Sequence, residues 1–171
     1  VQNFAGGIMI IAFKPFKAGD YIEALGYEGT VSEVNIVSTK LTTVDNKIII
    51  LPNGALSNGS IRNFSERKLR RVDWTVCVEY GSSVEDTKEL LMSIMKNDSR
   101  ILTTGQNAPA DPFVALSELA ESSVNFVMRA WVNSADYWDV RFEINEKIYV
   151  LLPEKGIRFT FRQMDVHVHQ D

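Results

Sequence analysis

His167 and His169 are the residues whose types and spacing most directly suggest chemistry. Residues i and i+2 of a strand lie on one face, so several copies of this strand around an axis would form a metal-binding or pH-sensitive ring. The alternative is a pair of exposed imidazoles near the chain end. Two histidines do not complete a metal site, and we predict neither a metal nor a cofactor.

Enzyme motifs are absent from the sequence. Gly6-Gly7 lacks the strand and the lysine of a phosphate-binding loop, and there is no Gly-x-Ser-x-Gly elbow. Both histidines fall in the last five residues, which disfavours a Ser-His-Asp triad. The single Cys77 excludes an internal disulfide, and its alternating surroundings predict a small buried hydrophobe on a strand. We therefore predict no catalytic residues and no enzyme activity.

A basic segment in the middle of the chain is a candidate anion-binding site. It contains Arg62, Arg67, Lys68, Arg70 and Arg71. Nucleic acid is one candidate partner, but only Phe64 offers a ring on which a base could stack. The alternatives are a solvated linker paired with neighbouring acids and a charged lining that concentrates anions. We predict that the segment does not bind nucleic acid.

Charge is unevenly distributed along the 171 residues, whose net charge is -4. Through Arg71 there are nine Lys and Arg against six Asp and Glu; from Val72 onward there are nine against sixteen. The basic first part suits anionic lipid headgroups, and the acidic remainder argues against a general nucleic-acid binder. An apolar fraction of 45% and a mean hydropathy of -0.07 are those of a globular protein.

The first sixteen residues contain an apolar run with no clear polar face. The run is about half of the ~20 residues that cross a bilayer as a helix, and no charged segment precedes it as in a signal peptide. Lys14 and Lys17 follow it, beside Phe13, Pro15 and Phe16, a pattern typical of a membrane segment leaving on the cytoplasmic side. We predict the end of a membrane or interfacial helix; a soluble amphipathic helix is the alternative.

Residues 18–65 show only strand and turn signals. Short strands are expected at 20–25, 29–37, 39–44 and 47–51, of which 29–37 alternates and 47–51 is apolar on both faces. They are separated by glycines, by Asp45-Asn46 as a two-residue hairpin turn, and by Pro52-Asn53-Gly54. Short strands joined by tight turns favour a small β-barrel.

From residue 72 the period changes to mixed strand and helix. Strands are expected at 72–80, 113–119, 124–132 and 157–161, and helices after a Ser82/Glu85 capping box and at 136–152, ended by Pro153. This β-α-β-β-α-β order is that of a ferredoxin-like α+β domain. Residues 164–169 form a further strand with no partner left, which predicts an oligomer.

A series of short motifs, read in order, carries a family resemblance. They are Lys14-Pro15-Phe16-Lys17-Ala18-Gly19-Asp20-Tyr21-Ile22, Gly29-Thr30-Val31, Thr39, Pro52-Asn53-Gly54, Ile61-Arg62-Asn63-Phe64-Ser65, Ser123-Val124-Asn125-Phe126-Val127 and Gly156-Ile157. Each motif is weak alone, but the ordered set closely resembles the small-conductance mechanosensitive channel family of bacteria, over essentially the whole chain.

The resemblance implies a domain order and a function. It implies the end of the third transmembrane helix (residues 1–16), an Sm-like β-domain (17–66), a ferredoxin-like α/β domain (67–163) and a C-terminal inter-subunit strand (164–171). Together these would form the cytoplasmic cage of a homoheptameric, weakly selective channel in the bacterial inner membrane. The channel would open under tension and release ions and small solutes on hypo-osmotic shock, with membrane lipid, permeating ions and other copies of the chain as partners.

Three groups of residues become site candidates. Membrane coupling is expected of Phe13, Lys14, Phe16 and Lys17; the barrel and turn motif comprises Gly19, Asp20, Gly29, Pro52, Asn53, Gly54 and Asn63; the inter-subunit strand comprises Val166, His167, Val168 and His169. The pore-lining half of the family's helix would precede Val1, so no gate residue is assigned.

Two departures from the family pattern concern the lower part of the cage. Residues 159–163 lack the family's prolines, and Pro153 interrupts the second helix. A soluble Sm-like RNA binder and a small-ligand regulatory module are the competing interpretations.

Overall fold

A computed structural model describes residues 1–168 of the chain. The chain divides into two compact units, unit 1 (Val1–Lys68) and unit 2, which begins at Leu69. The mixed fold class expected from the sequence is confirmed: an N-terminal helix, a small β-domain and an α+β domain follow one another.

Unit 1 is a helix followed by a five-stranded antiparallel sheet with the strand order β4-β3-β2-β1-β5. Its elements are α1 (Gln2–Phe13), β1 (Tyr21–Ala24), β2 (Tyr27–Val34), β3 (Ser38–Thr42), β4 (Ile48–Pro52), α2 (Asn53–Asn58) and β5 (Ile61–Asn63). The β1–β2 turn has positive φ at Leu25 (53°) and Gly26 (79°), as a tight hairpin turn requires.

The expected barrel is not closed within the described residues. β4 and β5 lie at the two edges of the sheet and do not pair with each other. The physical reason is α2, a six-residue helix that separates β4 from the three-residue β5. The expectation of only strands and turns was therefore wrong at Asn53–Asn58. The β3–β4 loop is also longer than a two-residue turn, since the amide of Thr43 bonds to the carbonyl of Lys47 around Asn46 at φ 65°.

Unit 2 packs two helices on one face of a three-stranded antiparallel sheet with the order β6-β8-β7. Its elements are β6 (Leu69–Val78), α3 (Val84–Lys96), β7 (Phe113–Leu119), β8 (Val124–Asn133) and α4 (Tyr137–Glu154), with short 3-10 turns at Thr104–Gln106 and Ser134–Asp136. Alternate residues of β6 and β8 enter the core, as the period-two pattern predicted. Cys77 lies on β6 but is half-buried rather than buried.

The ends of the unit 2 elements differ from expectation in three places. Ser83, not Ser82, caps α3 and accepts a bond from the amide of Asp86 (3.2 Å), because Ser82 instead donates to the carbonyl of Glu79. Pro153 lies inside the last turn of α4. The strand expected at 157–161 is reduced to one bridge, from Val78 to Phe159, beside a hydrogen bond from the amide of Glu79 to the carbonyl of Arg158 (3.0 Å).

Residues 162–168 have no regular secondary structure, and Val166 and Val168 are exposed. The inter-subunit strand at 164–171 stays a prediction, and residues 169–171 lie outside the described part. Across residues 1–168, no helix combines the length and the apolar character needed to cross a membrane.

Candidate functional site

The candidate site of unit 1 is the junction between α1 and the β-domain. One side of α1 is buried at Gly6, Gly7 and Ile10. The remaining apolar side chains of the helix are about half exposed or more: Phe4, Ile8, Met9, Ile11 and Phe13. The helix thus has two kinds of surface, a small-residue face fixed to its own unit and an apolar face left open.

Gly6 and Gly7 allow the backbone of α1 to approach the β-domain directly. A Cβ atom on Gly6 would lie 2.4 Å from the carbonyl oxygen of Asn53, and one on Gly7 would lie 1.8 Å from that of Ile36. Each glycine costs a helix about 1 kcal/mol relative to alanine, so close packing is the reason for a pair inside α1. A pair of glycines inside an apolar helix is a sequence signal for such close packing, which the comparison of Gly6-Gly7 with a phosphate-binding loop missed.

Asn53 is the buried centre of the first joint in this junction. Its Nδ2 donates to the carbonyl of Asn35 (2.7 Å), and its Oδ1 accepts a bond from the hydroxyl of Thr39 (2.8 Å). Its own amide donates to the carbonyl of Val37 (3.0 Å). The side chain therefore fixes the β2–β3 loop against the start of α2, beside which Gly6 and Gly7 pack.

Pro52 and Gly54 complete this joint. Pro52 is the N-cap residue of α2, with an extended conformation at φ -64°. The amide of Gly54 donates to Oδ1 of Asn3 on α1 (3.0 Å), and a Cβ at Gly54 would lie 2.8 Å from that oxygen. Sequence reasoning found the Pro52-Asn53-Gly54 motif but missed its partners on α1.

A second joint follows the end of α1. The helix ends at Phe13. Its C-cap residue Lys14 is in the left-handed region (φ 46°), and the amide of Lys14 bonds to the carbonyl of Ile10. Asp20 then holds the following loop: its Oδ2 accepts a bond from the amide of Lys17 (3.1 Å). Gly19, at φ 95°, turns the chain so that its amide reaches the carbonyl of Val31.

Asn63, at the end of β5, connects to this joint. Its Nδ2 donates to Oδ2 of Asp20 (2.9 Å) and to the carbonyl of Pro15 (3.1 Å). Its Oδ1 accepts bonds from the amides of Ser65 (2.9 Å) and Glu66 (3.0 Å). The structure therefore brings Asp20 and Asn63 together although 43 positions separate them.

Gly29 belongs to neither joint. It lies on β2, where a Cβ atom would be 2.8 Å from the carbonyl oxygen of Thr42 on β3. Its role is close strand packing inside the sheet.

The four residues expected at the headgroups divide into two groups. Phe13 is 74% exposed, and Lys14 and Lys17 are exposed as well. Phe16 is only 3% exposed and packs in the core with Ile22 and other apolar residues. This burial contradicts the prediction that Phe16 contacts headgroups. The left-handed conformation of Lys14 changes the direction of the chain, so that Phe16 packs against the sheet.

The basic segment is largely paired within its own units. Arg62 contacts Glu23 (3.2 Å) in unit 1. In unit 2 the guanidinium of Arg70 lies 3.6 Å from the ring centre of Tyr137, and Arg71 bonds to Asp73 (2.7 Å). The hydrogen bonds with Asp73 raise the pKa of Arg71 above its ordinary value. These pairings favour the interpretation of a solvated linker over an anion-binding site.

The histidine pair falls at the edge of the described residues. His167 is exposed, and His169 lies outside the described part, so the metal or pH-sensitive ring stays a prediction. Between residues 1 and 168 no three His, Cys, Asp or Glu side chains group in a way that could hold a metal ion.

Known proteins match both units. Residues 1–66 match the family described as the mechanosensitive ion channel beta-domain, and residues 72–159 match the one described as mechanosensitive ion channel MscS, C-terminal. The small-conductance mechanosensitive channel of Edwardsiella ictaluri is 41% identical over 99% of this chain and 58% of the relative. This chain therefore spans a little more than half the length of that curated relative.

Solved structures agree with these matches. The crystal structure of Helicobacter pylori MscS in its closed state matches 99% of this chain and 66% of its own, with a TM-score of 0.90 and 32% identity. Arabidopsis thaliana MSL1, with a TM-score of 0.77 and 16% identity, shares the fold. The motifs, the two matched domains and these similarities agree, and the chain belongs to the MscS family of mechanosensitive ion channels.

Proposed function

We propose that the chain is the cytoplasmic cage portion of a tension-gated, weakly selective channel that releases ions and small solutes on hypo-osmotic shock. The observation that carries the proposal is the division of α1. Gly6, Gly7 and Ile10 pack into unit 1, while Phe13 and the other apolar side chains stay exposed. A helix with these two faces can contact lipid on one side and move a folded domain with the other.

The proposed mechanism follows from this arrangement. Tension favours the channel state with the larger in-plane area, and any ligand or force shifts an equilibrium only by its different effect on the two states. Because α1 contacts the backbone of the β-domain at Gly6 and Gly7, displacement of the helix displaces the rest of unit 1 with it. Lys14 and Lys17 would face anionic headgroups beside Phe13, in the bacterial inner membrane with this part on the cytoplasmic side.

The proposed assembly is a homo-oligomer, a heptamer by the family resemblance. Two features of the single chain support a partner. β4 and β5 are sheet edges within the described residues, and Val166 and Val168 are 72% and 78% exposed in an unpaired segment. Unpaired edges and exposed alternating valines are stabilised when another copy covers them. The proposal needs no cofactor and assigns no catalytic residue.

The test replaces Phe13 by aspartate in the full-length protein and measures opening tension in membrane patches. Phe13→Asp removes an apolar anchor and places a negative charge near anionic headgroups, so we expect a higher opening tension. Val44→Asp is the matched control, because Val44 is 91% exposed in the β3–β4 loop of the same unit. Equal thresholds for Phe13→Asp and the wild type would refute the coupling role of this helix.

A further inference from the structure

One side chain in unit 1 holds both the segment that follows α1 and the segment that leads towards unit 2. Asn63 donates from Nδ2 to the carbonyl of Pro15 (3.1 Å), two residues beyond the end of α1. The same amide group accepts, at Oδ1, bonds from Ser65 (2.9 Å) and Glu66 (3.0 Å), shortly before the unit ends at Lys68. The Asn63 to Pro15 bond joins residues 48 positions apart.

The orientation of this amide is fixed from two sides. Asp20, only 7% exposed, accepts from Nδ2 of Asn63 (2.9 Å) as well as from the amide of Lys17 (3.1 Å). On the other side, Tyr21 supports the exit segment: its amide donates to the hydroxyl of Ser65 (2.9 Å), and its carbonyl accepts from the amide of Phe64 (3.0 Å). The bonds to Asp20 are partly buried, and hydrogen bonds shielded from water are stronger than exposed ones, so Asp20 holds the Asn63 amide while its bonds to Pro15, Ser65 and Glu66 lie exposed.

We propose that Asn63 is a positioning residue for gating, which passes displacement of the end of α1 directly to residues 65–68. This inference rests on the proposed function. The path consists of one planar amide and its hydrogen bonds, from Pro15 through Asn63 to Ser65 and Glu66. The route through the sheet is longer, since it passes from Phe16 into the core and then across the pairing of β1 with β5.

The direction of the effect follows from the conformation in which the bonds occur. This chain closely matches a relative in its closed state. If displacement of α1 loads the Pro15 to Asn63 bond, that bond stabilises the closed-like conformation more than the open one. Its loss then shifts the equilibrium towards opening, by the difference in its contribution to the two states.

The chain offers three matched variants for a patch-clamp test of the full-length protein. Asn63→Asp keeps the acceptor for Ser65 and Glu66 but loses both donated bonds and repels Asp20. The exchange Asn63→Asp with Asp20→Asn restores a bond between positions 20 and 63, because the amide introduced at position 20 can donate to the carboxylate introduced at position 63. The donating nitrogen takes the place of the oxygen that accepts from the amide of Lys17, so the exchange gives up that bond. The exchange cannot restore the bond to Pro15. Asp20→Asn alone keeps an acceptor for every bond and shows the effect of the lost charge at position 20. The control is Val44→Asp, at an exposed side chain of the β3–β4 loop outside both joints.

We expect the exchange variant to open at a lower tension than the wild type, by more than the spread among wild-type patches. The single Asn63→Asp variant should shift in the same direction and reach the membrane in smaller amounts. Asp20→Asn should shift less than the exchange variant, and Val44→Asp should match the wild type. A wild-type threshold in the exchange variant would overturn the inference, since Asn63 would then serve only the fold. If Asn63→Asp does not reach the membrane, the exchange variant and its control still decide. A wild type without any tension-gated current would instead refute the proposed function.

Discussion

Unit 1 and unit 2 are stabilised in different ways. The core of unit 1 contains eight buried apolar residues among its 68, whereas that of unit 2 contains nineteen in a unit about half as long again. Unit 1 adds side-chain hydrogen bonds to loops and helix ends, made by Asn53, Asp20 and Asn63. Unit 2 has side-chain hydrogen bonds too, such as that from Arg100 to Asp98, but its larger apolar core lies between the regular faces of α3, α4 and its sheet.

The two units are expected to tolerate different kinds of substitution. Apolar packing is additive over many residues and accepts conservative exchanges, so unit 2 can vary in sequence and keep its shape. A buried amide with several partners has no isosteric apolar substitute, because each abandoned donor or acceptor costs free energy. We infer that unit 1 fixes the position of α1, while unit 2 supplies a stable body.

The largest expected effect is the loss of an aromatic side chain from the core of unit 2. Phe126 is fully buried, so Phe126→Ala should lower the free energy of unfolding by about 3–5 kcal/mol through lost transfer energy and a cavity. Trp74, Trp131 and Trp138 all lie in unit 2, so tryptophan fluorescence during urea unfolding reports on this unit alone. Phe161→Ala, at a side chain 82% exposed, is the control and should change stability by less than about 0.5 kcal/mol. Equal effects of the two substitutions would contradict this description of the core.

The strands of unit 2 show what the sequence could predict. β6 and β8 alternate because one face of each lies against the helices, and that periodicity is visible in the residues themselves. The strand expected after α4 also had apolar residues in alternation, but the structure pairs only Phe159 with Val78. How many residues pair with a neighbouring strand depends on the path of the chain beside that strand, a tertiary feature that the local pattern does not specify.

The site of unit 1 was predictable only in part. The motif residues Asp20, Asn53 and Asn63 were recognised through resemblance, since a polar residue beside a turn has many local explanations. Their partners, among them Asn3 and Pro15, lie about fifty positions away from Gly54 and Asn63, so local spacing does not reveal them. The prediction of a closed barrel was wrong for a related reason. Closure requires β4 and β5 to pair with each other, and no single segment of the sequence determines whether these two edge strands meet.

An intermediate effect is expected where α1 contacts the rest of unit 1. Gly7→Ala should raise helix propensity by about 1 kcal/mol, but its Cβ would lie 1.8 Å from the carbonyl oxygen of Ile36, so α1 must shift. We expect the cost of this steric clash to exceed the gain in helix propensity. The protection of α1 amides against hydrogen exchange should then fall by about 1–3 kcal/mol, as for other overpacked sites.

The matched control for this substitution is Gly105→Ala in unit 2. A Cβ at Gly105 would be 3.6 Å from the hydroxyl of Thr103, an ordinary contact. Its substitution should leave exchange rates unchanged throughout the chain. Stronger protection of α1 in Gly7→Ala would mean that helix propensity decides, and that the close approach to Ile36 contributes little.

The smallest expected effect is electrostatic and separates unit 2 from the polar joints of unit 1. Asp98 is 6% exposed and forms a bidentate pair with Arg100 (3.0 and 2.8 Å), which also contacts Glu143 of α4. Hydrogen bonds from Arg100 hold the pKa of Asp98 below its ordinary value. The folded state therefore favours the carboxylate. This stabilisation is fully present above the unfolded-state pKa of about 4, and it is lost as the pH falls through the lower folded-state value.

Asp98→Asn tests this contribution because asparagine keeps the acceptor for the amide of Arg100 but loses the charge. At neutral pH the variant should be less stable by about 1 kcal/mol, since the pair is partly shielded from water yet Arg100 stays accessible. Below about pH 4 the difference from the wild type should shrink, as the wild-type carboxyl also loses its charge. Asp73→Asn, in an exposed pair with Arg71, is the control and should show almost no difference at either pH. A stability difference between Asp98→Asn and the wild type that stays constant from neutral to acid pH would show that the shape of the side chain, not its charge, stabilises this part of unit 2.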